Sequence, residues 1–371
     1  MALRSNSGAY GGPADTALNQ SELISDRVEA VTLLSGVVAT DLPSAGATAI
    51  TTVEVTVRPL LPAMPIASLG SWSILRQIWL QTGIHDVTHV SFAREIIPLW
   101  AAFSTIVQRK KLVLQPHGML TARKGPKQRA LDVVTKPLFR RADLVVALTS
   151  DEHRALSRWI GQGEPPTVAI GNPPLREARD TSTHTEWAES TREALFLARL
   201  EPRKRVMDFA QAAALAAKRE LDINFAIVGP DQGDLETISD LLRASPNLLY
   251  EGALPATKVV DRLLQTTVFV LPSFREPWGN VLVTALALGI PVIVTESAAL
   301  AEVVAQYRAG RVVPDGSPEH IVDALEDLMI SPDSLKEARL GALKLSQDEL
   351  SSRASAAKLV DSYERAQGTK K

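Results

Sequence analysis

The stretch Val268–Val304 limits the choice of folds more than any other part of the chain. It opens with the apolar run VFVL, breaks at Pro272, and passes through a polar loop carrying Arg275 and Glu276. A helix-like segment over 279–288 follows, Gly289 stops it, and 291–294 reads as a buried strand. Strand, loop, helix, strand is the repeating unit of a parallel α/β sheet. In such a sheet ligands collect at loops leaving the carboxyl ends of strands, and the amino end of the next helix offers unpaired N–H groups to an anion.

The same alternation runs through the second half of the chain. Strands are expected at 195–198, 225–228, 248–250, 268–271 and 311–313, with helices at 206–218, 235–242, 258–264, 319–328, 332–344 and 351–367. The first half gives strands at 30–34, 50–57, 86–92, 111–115, 142–149 and 167–170, and helices at 72–79, 96–107, 127–139 and 152–159, the last capped by Ser150 or Asp151. In the 127–139 helix, Leu131, Val134 and Leu138 are available to face inward. Residues 171–190 combine glycine, two prolines and polar residues without periodicity, the composition of a linker. At 371 residues the chain suits two domains. The expected division is 1–172, a linker at 173–190, a second domain at 191–345, and a terminal helix within 346–371 available to pack back on the first domain.

The beginning departs from this pattern. A doubly wound half-domain starts with a strand before its glycine loop, yet only a few polar residues precede Gly8, Gly11 and Gly12. Either residues 1–10 are a tail on a domain that begins differently, or the first, central strand is missing.

Composition removes several function classes. The chain has no cysteine, which excludes disulfides, thiolate metal sites and cysteine nucleophiles and allows a reducing, cytoplasmic compartment. A net charge of −2 argues against a dedicated nucleic-acid binder, although ten basic residues against one acidic, Asp132, lie between Arg109 and Arg141. That excess is either a solvated face or a contact for anionic lipid or an anionic acceptor. The histidines, His85, His89, His117, His153, His184 and His320, form no tight ligand motif, so no metal is expected. No G-x-G-x-x-G with a following acidic residue supports a dinucleotide oxidoreductase. Arg199 and Lys204 follow the first strand of the second domain at a spacing that lets both reach one loop-borne anion. With Gly229 after the next strand and the helix start at Gly279, they make phosphate binding the physical expectation, the alternative being a solvated basic loop.

The blocks Glu276-Pro277-Trp278-Gly279-Asn280-Val281-Leu282, Gly289-Ile290-Pro291-Val292, Ala198-Arg199-Leu200-Glu201-Pro202-Arg203-Lys204, Pro116-His117-Gly118-Met119, Gly171-Asn172-Pro173-Pro174 and Gly11-Gly12-Pro13 resemble, in order, the signatures of retaining glycosyltransferases of family 4. The resemblance covers about 8–365. It implies a GT-B fold, two Rossmann-like α/β domains facing across a cleft, and transfer of a sugar from a nucleoside-diphosphate sugar to a saccharide or lipid-linked hydroxyl acceptor. Surface polysaccharide or glycoconjugate synthesis is the expected setting. No cofactor is implied beyond the co-substrate. Carried over, Arg199 and Lys204 grip the diphosphate, Glu276 touches the transferred sugar, and the backbone at Trp278, Gly279 and Asn280 completes the phosphate site with Gly229. His117 hydrogen-bonds the sugar from the first domain, whose Gly11 and Gly12 let the backbone approach closely. The departing phosphate helps to deprotonate the acceptor.

The chain also departs from the family pattern. Thr284 stands eight positions after Glu276, where a second glutamate usually holds the ribose hydroxyls. Ala198, Arg205 and Ala298-Ala299 stand where glycines are usual. A catalytically weak or silent nucleotide-sugar-binding homologue is therefore the alternative reading, with Thr284 still at the ribose.

Overall fold

The computed structural model describes residues 2–4, 12–38, 50–60, 69–120, 126–176, 178 and 192–368. Residues 1–172 and 352–371 pack as one unit, and 173–351 as a second.

In unit 1, strands β1 (Ala2–Arg4), β2 (Thr32–Val38), β3 (Thr51–Pro59) and β4 (Leu69–Gly70) form one sheet in that order. A second sheet holds β5 (Val87–Ser91), β6 (Lys111–Gln115), β7 (Leu144–Ala147) and β8 (Thr167–Ala169), all parallel. A short strand does precede the glycine loop, since Ala2–Arg4 runs parallel to Ser35–Val37, but it stands at the edge of the first sheet, paired with β2, rather than at the centre of one continuous sheet. Three residues carry too little alternation to read as a strand, which is why the sequence suggested a gap. The helices of this unit are α1 (Gly12–Ile24), α2 (Trp72–Ile84), α3 (Ile96–Val107), α4 (Pro126–Arg140) and α5 (Ser150–Ile160).

Two local expectations are corrected. Thr149, one residue earlier than expected, caps α5 by accepting the Glu152 N–H at 3.1 Å. On α4 only Leu138 of the three apolar candidates is buried, while Leu131 and Val134 are exposed. Thr135 and Phe139 are buried instead, because the inward stripe is set by the seat of Phe139 against Phe92 and Trp159, with ring centroids 5.0 and 5.3 Å apart.

Unit 2 is one six-stranded parallel sheet. Its strands are β9 (Glu193–Leu197), β10 (Asn224–Val228), β11 (Leu248–Gly252), β12 (Val268–Leu271), β13 (Val292–Thr295) and β14 (Gly310–Val313), in the order β11-β10-β9-β12-β13-β14. Every residue of β12 and β13 is buried, so these strands read as continuous apolar runs rather than alternations. Around the sheet lie α6 (Val206–Lys218), α7 (Ser239–Ala244), α8 (Val259–Leu263), α9 (Asn280–Ala287), α10 (Ala301–Gln306), α11 (Pro318–Ile330) and α12 (Pro332–Asp348). Phe196, Phe209 and Phe225 are each at most 1% exposed and interlock β9, α6 and β10, contributing roughly 1.5–3 kcal/mol apiece. Gly289, at φ +71, lets the chain leave α9 in the left-handed conformation. The last helix, α13 (Ser352–Gly368), belongs to unit 1, where Leu359 packs in one core with Val113 and Val146. No helix among the described residues is long and apolar enough to cross a membrane.

Strand order in unit 2 reverses between β9 and β12, which pair at Ala194↔Val268 and Leu195↔Phe269. The loops leaving their carboxyl ends lie at such a reversal, where doubly wound sheets hold ligands.

Candidate functional site

Those two loops carry the charged residues. After β9 the chain turns through a short 3-10 segment, Pro202–Lys204, and Arg205 then takes φ +55 before α6. Left-handed backbone at this position explains why a glycine is usual there. Arg205 occupies it with its guanidinium paired to Asp208 at 2.5 and 3.0 Å. After β12, Arg275 takes φ +50 and donates its N–H to Ser297 Oγ at 2.8 Å. The Phe274 N–H donates to the Arg203 carbonyl at 2.9 Å, stitching the loops together.

This stitching brings Lys204 and Glu276 into contact. Lys204 Nζ donates to Glu276 Oε2 at 2.6 Å, and Arg203 donates to the same oxygen at 3.1 Å. Glu276 is 4% exposed. Burial alone would raise its pKa, but the Lys204 and Arg203 charges prevail and hold it below the usual carboxylate range. Burial pulls Lys204 below the usual ammonium value, and Glu276 opposes that pull. The result is an ionised carboxylate, an acceptor for hydroxyl donors, inside a positively charged collar. Arg203 was not singled out from the sequence, because spacing in RLEPRKR does not tell which cation turns inward.

Arg199 lies beside this cluster rather than in it. Its guanidinium reaches Glu201 and Gln232, both at 3.4 Å, and its side chain is 41% exposed. Glu201 also accepts from Arg203 at 3.3 Å, so one carboxylate orients both arginines. Gly229, at φ +147, is required by packing, since a Cβ there would stand 1.8 Å from the Ala198 carbonyl oxygen. Trp278 is buried, Gly279 caps α9 at φ +80 with no side-chain cap, and Asn280 is the first helical residue. The first-turn N–H groups of a helix lack intrahelical partners, so α9 points a partial positive charge away from its start, next to Glu276. Ala299 donates its N–H to the Glu276 carbonyl at 2.9 Å and so draws the loop after β13 to the same place.

Thr284, expected at the ribose, is held by contacts within unit 2. It is fully buried, its hydroxyl donates to the Asn280 carbonyl at 2.8 Å, and it accepts the Leu175 N–H at 3.2 Å. Its one donor and one of its two acceptor lone pairs are used within the chain, which ties residue 175 to α9.

In unit 1, His117 sits just beyond β6 and is 8% exposed. Its Nε2 is 3.2 Å from Ser91 Oγ, while Nδ1 has no hydrogen-bond partner among the described residues. Burial drives its pKa down to about 3, so the ring is neutral near pH 7. Gly12 opens α1, whereas Gly11 lies outside the described residues. His85 and His89 belong to no cluster of three or more metal-ligating side chains among the described residues.

Two family models match the chain. Residues 11–173 match the Glycosyl transferase 4-like domain and 179–342 match Glycosyl transferases group 1. A D-inositol 3-phosphate glycosyltransferase of Paenarthrobacter aurescens is 29% identical over 140 residues, 36% of this chain and 34% of that protein. A GDP-mannose-dependent alpha-mannosyltransferase of Mycolicibacterium smegmatis is 27% identical over 237 residues, 62% of this chain and 56% of that protein. The chain thus matches between about a third and somewhat over half the length of these two relatives. Among solved structures, Anabaena Alr3699/HepE in complex with UDP and glucose superposes with a TM-score of 0.72 at 16% identity, covering 98% of each chain. The reversal of strand order in unit 2, the parallel α/β build of both units and the paired domain matches agree: this chain belongs to the family 4 glycosyltransferases and has the GT-B fold.

Proposed function

We propose that the chain transfers a sugar from a nucleoside-diphosphate sugar to a hydroxyl acceptor, with retention at the anomeric carbon, in the synthesis of a surface polysaccharide or glycoconjugate. The observation that carries the reading is the buried, ionised Glu276 in its collar of Lys204 and Arg203 at the strand-order reversal of unit 2. As the anomeric C–O bond to the diphosphate breaks, the electron pair leaves with the phosphate oxygen. Lys204, Arg199 and the start of α9 oppose that growing charge. Glu276 accepts hydrogen bonds from sugar hydroxyls and fixes the ring. The acceptor oxygen bonds to the anomeric carbon, and its proton passes to the departing phosphate. His117 hydrogen-bonds the transferred sugar.

UDP and glucose in the Anabaena structure and GDP-mannose in the mycobacterial relative support a nucleotide-sugar donor as a class. The acceptor is a saccharide or a lipid-linked sugar. The basic stretch 109–141, whose helix α4 also exposes Val133 and Val134, suits an anionic membrane surface that carries it. A second reading, a silent nucleotide-sugar-binding homologue, is favoured by Thr284, which stands where the resemblance expects a glutamate and makes two hydrogen bonds inside the chain. Incubating the protein with UDP- and GDP-sugars, with and without glycolipid extract, and measuring released nucleoside diphosphate separates the two. Release that depends on extract supports transfer. Binding without release in any combination supports the silent homologue.

A further inference from the structure

Helix α5 begins with a buried carboxylate that its own capping does not require. Thr149 already accepts the Glu152 N–H, yet the Glu152 side chain is 8% exposed and spans two other loops. Its Oε1 accepts the Gly118 N–H at 2.5 Å, beyond β6, and its Oε2 accepts the Leu148 N–H at 2.7 Å, beyond β7. Burial pushes this carboxyl up, while the two N–H donors and the amino end of α5 favour the ionised form.

The Gly118 N–H belongs to the turn that presents His117. Met119 closes this turn by donating to the Pro116 carbonyl at 2.9 Å, and both central residues have positive φ, +51 at His117 and +75 at Gly118. Left-handed backbone at a residue with a side chain is sparsely populated and persists only where its surroundings over-determine it. Here the surroundings are few and specific. Ser91 holds one edge of the imidazole, and Glu152 holds the backbone immediately after it. The other ring nitrogen, Nδ1, is buried without a hydrogen-bond partner among the described residues.

We propose that Glu152 is a positioning residue for glycosyl transfer: its carboxylate locks the Pro116–Met119 turn to the end of β7 and thereby sets the direction of the His117 imidazole. The proposal rests on the reading that His117 takes part in transfer. Glu152→Gln keeps the size of the side chain but replaces one acceptor oxygen with an NH2 that cannot accept an N–H.

The test uses the full chain and three variants: Glu152→Gln, His117→Asn, and the two combined. Asn tolerates positive φ, so the turn survives the loss of the imidazole. Glu152→Gln is expected to lower kcat by about 10- to 100-fold, the range a small misplacement of a reacting group produces, with donor KM changed much less. The combined variant is expected to be no slower than His117→Asn. Independent factors that multiply, or a loss confined to KM, would overturn the proposal. In parallel, histidine-labelled NMR spectra are recorded, with the His117 signal identified by its disappearance in His117→Asn. Glu152→Gln should move that signal and leave the other histidines in place, and an unmoved His117 signal would overturn the proposal without reference to activity. If the wild type transfers no sugar, the NMR result still decides the positioning role, and the failure falls on the functional reading. Should Glu152→Gln not fold, Glu152→Asp, too short to reach both N–H groups, is measured in the same way.

Discussion

Replacing His117 with Asn tests whether the imidazole is kept neutral by burial. In the folded chain its pKa is about 3, against 6.5 unperturbed, because charging it would require solvation that its surroundings do not supply. Between those values the unfolded chain binds more protons than the folded one, so stability falls as pH falls. The contribution is complete above about pH 6.5 and is lost progressively toward pH 3. From pH 7 to pH 5 the loss from this one residue is about 2 kcal/mol, at about 1.4 kcal/mol per tenfold change in proton activity. Glu95, whose pKa burial raises to about 7, acts in the opposite direction over the same interval. The difference between wild type and variant therefore isolates His117, because Glu95 is common to both. Urea unfolding at pH 7 and pH 5, followed by fluorescence to which Trp72, Trp79, Trp100 and Trp159 of unit 1 contribute, provides the assay. The wild type should lose about 2 kcal/mol more than His117→Asn on acidification. Equal losses would refute a buried neutral ring.

Two further substitutions test local geometry. Gly229→Ala forces a Cβ to 1.8 Å from the Ala198 carbonyl oxygen, so β9 and β10 must separate at their carboxyl ends, and a loss of roughly 2 kcal/mol or more is expected in thermal unfolding. Thr284→Glu should destabilise rather than restore a ribose contact. It places a carboxylate at a fully buried position and removes the acceptor of the Leu175 N–H, at a cost of several kcal/mol, and a tighter nucleoside diphosphate complex with an unchanged melting temperature would contradict this.

The second unit was largely legible in the sequence because its central strands β12 and β13 are fully buried. Runs such as VFVL and VIVT, punctuated by Pro272 and Gly289, announce strand and helix ends without tertiary information. The Arg199–Lys204 block and Glu276 were legible as a charged constellation, but not the detail that Arg203 shares the Glu276 oxygen, which depends on the Phe274–Arg203 backbone bond. The hydrogen bonds that Thr284 makes with Leu175 and Asn280 were not legible, because one of them joins residues far apart in the chain. In unit 1, β1 was too short to show a period, and α4 hid its inward face because its apolar residues outnumber those that are buried. Glu152 gave no sequence signal, since a carboxylate in the first turn of a helix is ordinary.

The central claim is that Lys204, in the cationic collar around Glu276, and Arg199 beside it hold the diphosphate of a nucleotide sugar. Calorimetric titration of UDP and of GDP into the wild type, Lys204→Ala and Arg199→Ala tests it most directly. At least one nucleotide should bind the wild type, and each substitution should weaken that affinity by roughly 10-fold or more, the worth of about 1.5–3 kcal/mol for a charge-assisted hydrogen bond. Undiminished affinity in both folded variants would contradict the account.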